Sequence, residues 1–208
     1  MRAVLLGKVP RPGAVKTRLA AALGAAEAAR LQRAMSEDVL ETCKRAGLAR
    51  AWSLAGPLDH PWVEALRGRG EEVLPQGGGT LGERIRHGLD AVGYPAVALG
   101  MDAPSLPPDL LIDLQASTTD VTLGQAFDGG YWCVALRRPI PGLFDGIRWS
   151  HARTLTDTVE RARALGCTVS LAPFWYDVDD LHDLAFLIHH LAVLPPERAR
   201  HTRSALCP

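Results

Sequence analysis

The chain has 208 residues, enough for one domain with a substantial core, and its 47% hydrophobic and 22% charged residues are those of an ordinary globular protein. Lys+Arg and Asp+Glu both total 23, so no net positive field exists to attract a polyanion, which argues against nucleic-acid or membrane-surface binding. Cys43, Cys133, Cys167 and Cys207 form no C-x-x-C pair, against a disulfide framework or structural zinc, and the first apolar run is too short for a signal segment or membrane span. The expectation is a cytoplasmic protein with reduced thiols and no membrane insertion.

In chain order, Val4 to Leu6 reads as a strand running into the turn-rich segment Gly7 to Gly13. A helix is predicted from about Gly24 to Ala46, because Ala28, Leu31, Met35, Val39 and Cys43 recur at i+3 and i+4 spacing before Gly47. Ala51 to Leu54 and Glu72 to Leu74 read as strands, with a short helix at Pro61 to Leu66 between them. Thr80 is placed to cap a helix towards Leu89, with Glu83 at the reciprocal capping-box position. Ala96 to Leu99 has the continuous apolar character of a strand buried on both faces, ending at Gly100-Met101-Asp102-Ala103-Pro104. Further elements are a helix at Leu110 to Leu114, strands at Val121 to Leu123, Tyr131 to Leu136 and Thr168 to Leu171, and helices at Thr154 to Leu165 and Leu181 to Leu191. The expectation is one α/β domain over residues 1–192 with a mostly parallel sheet, followed by a frayed tail over 193–208.

In such sheets ligands sit beyond the carboxyl ends of the strands. Three predicted strands end in polar, turn-forming segments: the Gly7 loop, the Asp102 turn and the glycine run after Gln76. The first loop carries the strongest chemical signal, since Met1 to Arg18 holds five Lys/Arg residues and no acid. Glycine lets backbone approach an anion, proline stiffens the loop, and Lys8, Lys16 and Arg18 supply charge for a phosphate. A P-loop is excluded, because two residues separate Gly13 from Lys16-Thr17. A solvated basic turn is the plainer alternative.

Asp102 either caps a turn or joins the basic loop in holding Mg²⁺, which takes one or two carboxylates together with substrate phosphates. Asp177 and Asp179 alternate with Val178, so in an extended segment both face one side and one cation, while Asp179 or Asp180 is also placed to cap the next helix. Asp128-Gly129-Gly130-Tyr131 reads either as a hairpin turn or as an acceptor-binding segment with Asp128 as base. Gln76 and Arg84 are candidates for a base or ribose contact, the alternative being a glycine-rich connection with a helix cap. The histidines show no ligand spacing, and no Ser/His/Asp or Cys/His arrangement stands out.

These segments together resemble the bacterial glycosyltransferase family once classed as a domain of unknown function, DUF2064, within the nucleotide-diphospho-sugar transferase superfamily of glycosyltransferase-A fold. The resemblance rests on Lys8-x-Pro10-x-Pro12-Gly13-x-x-Lys16-Thr17-Arg18-Leu19, Leu81-Gly82-Glu83-Arg84, Asp102-x-Pro104-x-Leu106, Asp128-Gly129-Gly130-Tyr131, Trp149-Ser150 and Asp177-Val178-Asp179, in that order across almost the whole chain. It implies a Rossmann-like three-layer α/β/α domain. It also implies a nucleotide site drawn from Leu6, Gly7, Lys8, Pro10, Gly13, Lys16, Thr17, Arg18, Gln76, Arg84 and Asp102. Mg²⁺ or Mn²⁺ would be held by Asp102 with Asp177 or Asp179, and the acceptor would lie near Asp128, Gly129, Gly130, Tyr131 and Trp149. The sequence departs from the family pattern at Ala103, His151 and Asp180, where Cys, Thr and Thr are usual.

Two enzymatic readings follow. In one, a sugar moves from a nucleotide-sugar to a small acceptor, with Lys16 and Arg18 stabilising the leaving diphosphate and Asp128 deprotonating the acceptor. In the other, a nucleotidyltransferase related to 2-phospholactate guanylyltransferases and molybdenum-cofactor enzymes joins an NTP to a phosphorylated molecule and releases pyrophosphate. A nucleotide-binding domain without catalysis is the third, and exposed apolar elements are compatible with a homodimer.

Overall fold

The computed structural model describes residues 1–207. Its strands are β1 (Arg2–Lys8), β2 (Ala49–Ala55), β3 (Glu72–Pro75), β4 (Ala96–Gly100), β5 (Val121–Ala126), β6 (Tyr131–Leu136) and β7 (Val169–Trp175). The helices are α1 (Thr17–Leu23), α2 (Ala25–Arg45), α3 (Pro61–Gly68), α4 (Leu81–Val92), α5 (Pro108–Ala116), α6 (Thr154–Ala164), α7 (Leu181–Val193) and α8 (Arg200–Leu206). Among the described residues no helix is long and apolar enough to cross a membrane.

The strands form one sheet in the order β3-β2-β1-β4-β6-β5-β7. β1 pairs in parallel with β2 and β4, and β5 pairs in parallel with β7. Only β6 runs against its neighbours, because the tight Phe127–Gly130 turn folds it back on β5 as a hairpin. The turn interpretation of Asp128-Gly129-Gly130 is therefore correct as geometry: the Asp128 carboxylate accepts from the Gly130 N–H at 2.8 Å.

The alternation of side chains along the strands explains the layering. Ala3, Leu5, Val97 and Leu99 face a core completed by Val39, Leu40, Trp52, Trp62 and Leu111, on the side of α2, α3 and α5. Val4, Ala96, Ala98 and Val134 face the opposite core with Ile85, Leu89 and Ala162, on the side of α4 and α6. Both faces of β1 and β4 are covered, which is why those strands read as unbroken apolar runs. The Thr80–Glu83 capping box forms at the start of α4 as the sequence predicts.

The C-terminal segment corrects one expectation. Residues 200–206 are not frayed; they form α8, which joins a third core of Leu19, Leu31, Met35, Leu187, Leu191 and Ala205. Asp38, on α2, accepts the His201 and Thr202 N–H groups at 3.0 and 2.8 Å and so caps α8 from a distant part of the chain. Arg203 in turn donates to the carbonyl of Leu194 at the end of α7.

Candidate active site

The connections from β1 to β2 and from β3 to β4 leave on opposite sides of β1, so the strand order switches between β1 and β4. A crevice is expected outside the carboxyl ends of strands at such a switch. A cleft of about 330 Å³ lies there, lined by Gly7, Lys8, Lys16, Thr17, Arg18, Met101, Asp102 and Asp179.

Gly7 makes room for the Met101 side chain where the two strands end. A Cβ at that position would stand 1.8 Å from the Met101 Cε, so any side chain there would force the buried Met101 thioether to move. The Asp102 turn is also tied to the segment after β7: the Val178 N–H donates to the Asp102 carbonyl at 2.9 Å, and Ser105 Oγ donates to Tyr176 Oη at 2.8 Å. Gln32, buried on α2, donates from Nε2 to the Met101 carbonyl at 3.3 Å.

Lys16 occupies the centre of the site. Its Nζ lies 2.8 Å from Asp102 Oδ1 and 2.7 Å from Asp179 Oδ1, and its side chain is only 5% exposed. Burial alone would drive Lys16 towards its neutral form, but Asp102 and Asp179 outweigh that penalty and hold its pKa above the ordinary lysine value. Lys8 and Arg18 are exposed, line the same cleft and make no ion pair among the described residues.

Asp177 stands apart from this ion pair. Burial raises its pKa to about 6, with further contributions from Asp179, Asp128 and Asp102. These four carboxylates therefore share one electrostatic neighbourhood, but among the described residues no three acidic, His or Cys side chains are arranged to hold a metal. Residues 176–179 lie beyond the end of β7, with Val178 fully buried between the part-exposed Asp177 and Asp179, and it is Asp179 whose carboxylate reaches Lys16. Asp180, not Asp179, caps α7, accepting from the His182 and Asp183 N–H groups.

Asp102 and Asp179 nevertheless suit a cation, since one carboxylate oxygen from each already converges on the Lys16 ammonium. Magnesium and manganese favour oxygen donors, and Mg²⁺ typically completes its shell with water and substrate phosphate.

The remaining predicted residues separate. Pro10 is buried and Gly13 turns the loop with φ of 77°, so both shape it. Gln76 is interior, donating to the Ser53 carbonyl at 3.2 Å, and Arg84 donates to the Gly79 carbonyl at 2.9 Å; neither lines the cleft. Leu6 lines a second cavity of about 250 Å³ that shares Asp102 with the first. Tyr131 lines this second cavity together with Leu81, Ile85 and Val134. Tyr131 packs edge-on to Trp149 with ring centroids 6.4 Å apart, and Gly129 lies against Ala152. Asp128 is exposed at the hairpin tip.

Sequence reasoning missed Gln32, Leu81 and Ile85 as cavity residues. Gln32 lies four residues after Ala28 and three before Met35, within the apolar stripe of α2, and that spacing was the available clue.

Comparison with known proteins agrees with this architecture. A protein from Desulfovibrio desulfuricans G20, described as a candidate nucleotide-diphospho-sugar transferase, matches with a TM-score of 0.88 and 33% identity over 99% of this chain and 94% of its own. The inositol-1-phosphate CTP transferase from T. maritima shares the fold at a TM-score of 0.63 and 12% identity, over 99% of this chain and 96% of its own. Rv0371c from Mycobacterium tuberculosis H37Rv, in complex with manganese, does so at 0.54 and 17%, over 90% and 97%. No curated protein matches. The family model described as "Uncharacterized protein conserved in bacteria (DUF2064)" matches residues 38–151, which include the Asp102 turn, the Asp128 hairpin and Trp149. With more than half its length matched by that model, and a relative 33% identical over nearly all of it, the chain belongs to the DUF2064 family.

Proposed function

We propose that this protein is a metal-dependent transferase that moves a sugar from a nucleoside diphosphate sugar to a small acceptor. The observation that carries the proposal is the buried Lys16 ammonium, held between Asp102 and Asp179 at a cleft whose other cations, Lys8 and Arg18, form no ion pair among the described residues. Such a cleft is built for a polyanion of diphosphate size that brings a divalent metal with it. The 33% identical Desulfovibrio protein, described as a candidate nucleotide-diphospho-sugar transferase, supports the same reading.

In the reaction, an acceptor hydroxyl oxygen forms a bond to the anomeric carbon while the bond from that carbon to the diphosphate oxygen breaks. The leaving oxygen keeps the electron pair, and Lys8, Lys16 and Arg18 stabilise the charge that grows on the diphosphate. Asp128 takes the acceptor proton; one of its oxygens accepts from Gly130, which orients the carboxylate and leaves the other oxygen available. Asp102 and Asp179 would hold Mg²⁺ or Mn²⁺, which supplies further charge neutralisation at the diphosphate.

The second cavity favours sugar transfer to an uncharged acceptor over nucleotidyl transfer to a phosphorylated one. Its lining of Leu6, Leu81, Ile85, Tyr131 and Val134 contains no Lys or Arg to meet a second phosphate. Fold similarity does not separate the two activities, because the T. maritima CTP transferase has the same fold.

A thermal-shift panel of NTPs, NDPs and NDP-sugars, with and without Mg²⁺ or Mn²⁺, tests the proposal, followed by product analysis with the stabilising ligand. Stabilisation by an NDP-sugar and release of NDP are expected. Pyrophosphate released from an NTP would establish nucleotidyl transfer instead, and no stabilisation by any nucleotide would refute both.

A further inference from the structure

Lys16 is already the cation between Asp102 and Asp179. Carboxylate oxygens from the turn after β4 and the segment after β7 approach its Nζ at 2.8 and 2.7 Å, and those are the two carboxylates that the proposed function gives to the metal. A buried ammonium in this position blocks a second cation by occupying the same lone pairs and by direct charge repulsion. The Lys16 backbone is also unusual, with φ of 46° and ψ of 47°, a left-handed conformation outside glycine that persists where surrounding contacts enforce it.

Among the described residues, Lys16 pairs with no other acid. A bound diphosphate beside Lys8 and Arg18 would supply the competing anion. Resting on the phosphate-binding reading of this cleft, we infer that Lys16 sets the order of binding by a charge handover. It holds Asp102 and Asp179 together before substrate arrives, then moves its charge onto the incoming phosphates and leaves the carboxylates to the metal. The metal alone binds weakly, and phosphate and metal strengthen each other's binding. Lys16 is in this respect a positioning residue for the metal ligands as well as a phosphate contact.

The test is Mn²⁺ binding without nucleotide, read from the loss of the free Mn²⁺ electron-spin signal, in the wild type, Lys16→Met and Lys16→Arg. Removing the competing charge is expected to tighten Mn²⁺ binding by roughly tenfold or more in Lys16→Met, whereas Lys16→Arg, which keeps a cation, behaves like the wild type. Equal or weaker Mn²⁺ binding in a Lys16→Met protein with native circular dichroism would overturn the handover.

Pyrophosphate gives a second measurement on the unmodified protein, decisive also where Lys16→Met does not fold. Pyrophosphate and Mn²⁺ together are expected to raise the melting temperature by more than the sum of their separate effects, and simple additivity overturns the handover. If neither pyrophosphate nor any nucleotide stabilises the wild type, the phosphate-binding reading fails and the handover with it. If they do stabilise it while Lys16→Met binds Mn²⁺ no more tightly, the handover alone fails.

Discussion

Lys16 is almost fully buried while Asp102, 2.8 Å away, has 38% of its side chain exposed, so the cation is interior and its partner faces the cleft. This asymmetry leaves the carboxylate accessible to a ligand from solvent. Asp102→Asn removes the charge but preserves the shape of the turn, and Asp179 still pairs with Lys16. Turnover with saturating metal should fall by about a hundredfold or more, in the range seen when one electrostatic group is lost from a transfer site. Steady-state assays across Mg²⁺ concentrations check this, and unchanged activity with unchanged metal dependence would place the metal elsewhere.

Gly129 tests the hairpin beneath Asp128. Its φ is 86°, and an added Cβ would lie 2.2 Å from the Ala152 carbonyl oxygen, a backbone atom that cannot rotate away. Gly129→Ala should therefore destabilise the protein by about 2 kcal/mol or more, from backbone strain together with the clash. Urea denaturation measures it, and a change below about 0.5 kcal/mol, the range of ordinary surface substitutions, would contradict the packing of the hairpin on residues 151–154.

Glu37 gives a pH-dependent prediction. Burial would raise its pKa, but hydrogen bonds from Arg69 and Trp62 overcome this and bring the folded-state value below 4.5. A carboxylate with a depressed folded pKa contributes stability that is complete above its unfolded value and disappears as pH falls through the folded one. Glu37→Gln should thus cost about 1–2 kcal/mol at neutral pH, where the Arg69 ion pair and the Trp62 Nε1 bond are charge-assisted. The difference from wild type should shrink below pH 4.5. Denaturant melts at neutral and acid pH distinguish this from a cost that is independent of pH.

The docked C-terminal helix makes a fourth. Asp38→Ala deprives α8 of the acceptor for its first N–H groups and should cost about 1–2 kcal/mol, as loss of a helix cap does. Deleting residues 195–208 should cost more, because Leu31, Leu191 and neighbouring residues lose an apolar partner. Equal stability of the full-length and shortened chains would show that α8 contributes nothing to the fold.

Much of the architecture was legible in the sequence because its signals are local. The continuous apolar run at Ala96 to Leu99 marked a strand covered on both faces, Thr80 and Glu83 marked a helix start, and glycine with basic residues marked the loop after β1. The tail was misread because what orders it is remote: Asp38 and Arg30 lie more than 160 residues from the α8 groups they bind.

At the candidate site, the sequence by itself determined the chemical inventory: a basic loop, a carboxylate at the end of a buried strand and an acidic segment near the last helix. Only the tertiary structure decided which of them meet. The switch in strand order between β1 and β4 brings Lys16 to Asp102, and the Val178–Asp102 hydrogen bond brings Asp179 to both. Asp177, two residues from Asp179, stays out of that ion pair, and Gln76 turns inward to satisfy buried carbonyls. Such choices depend on burial and on donors supplied by distant strands, which residue spacing along one segment does not encode.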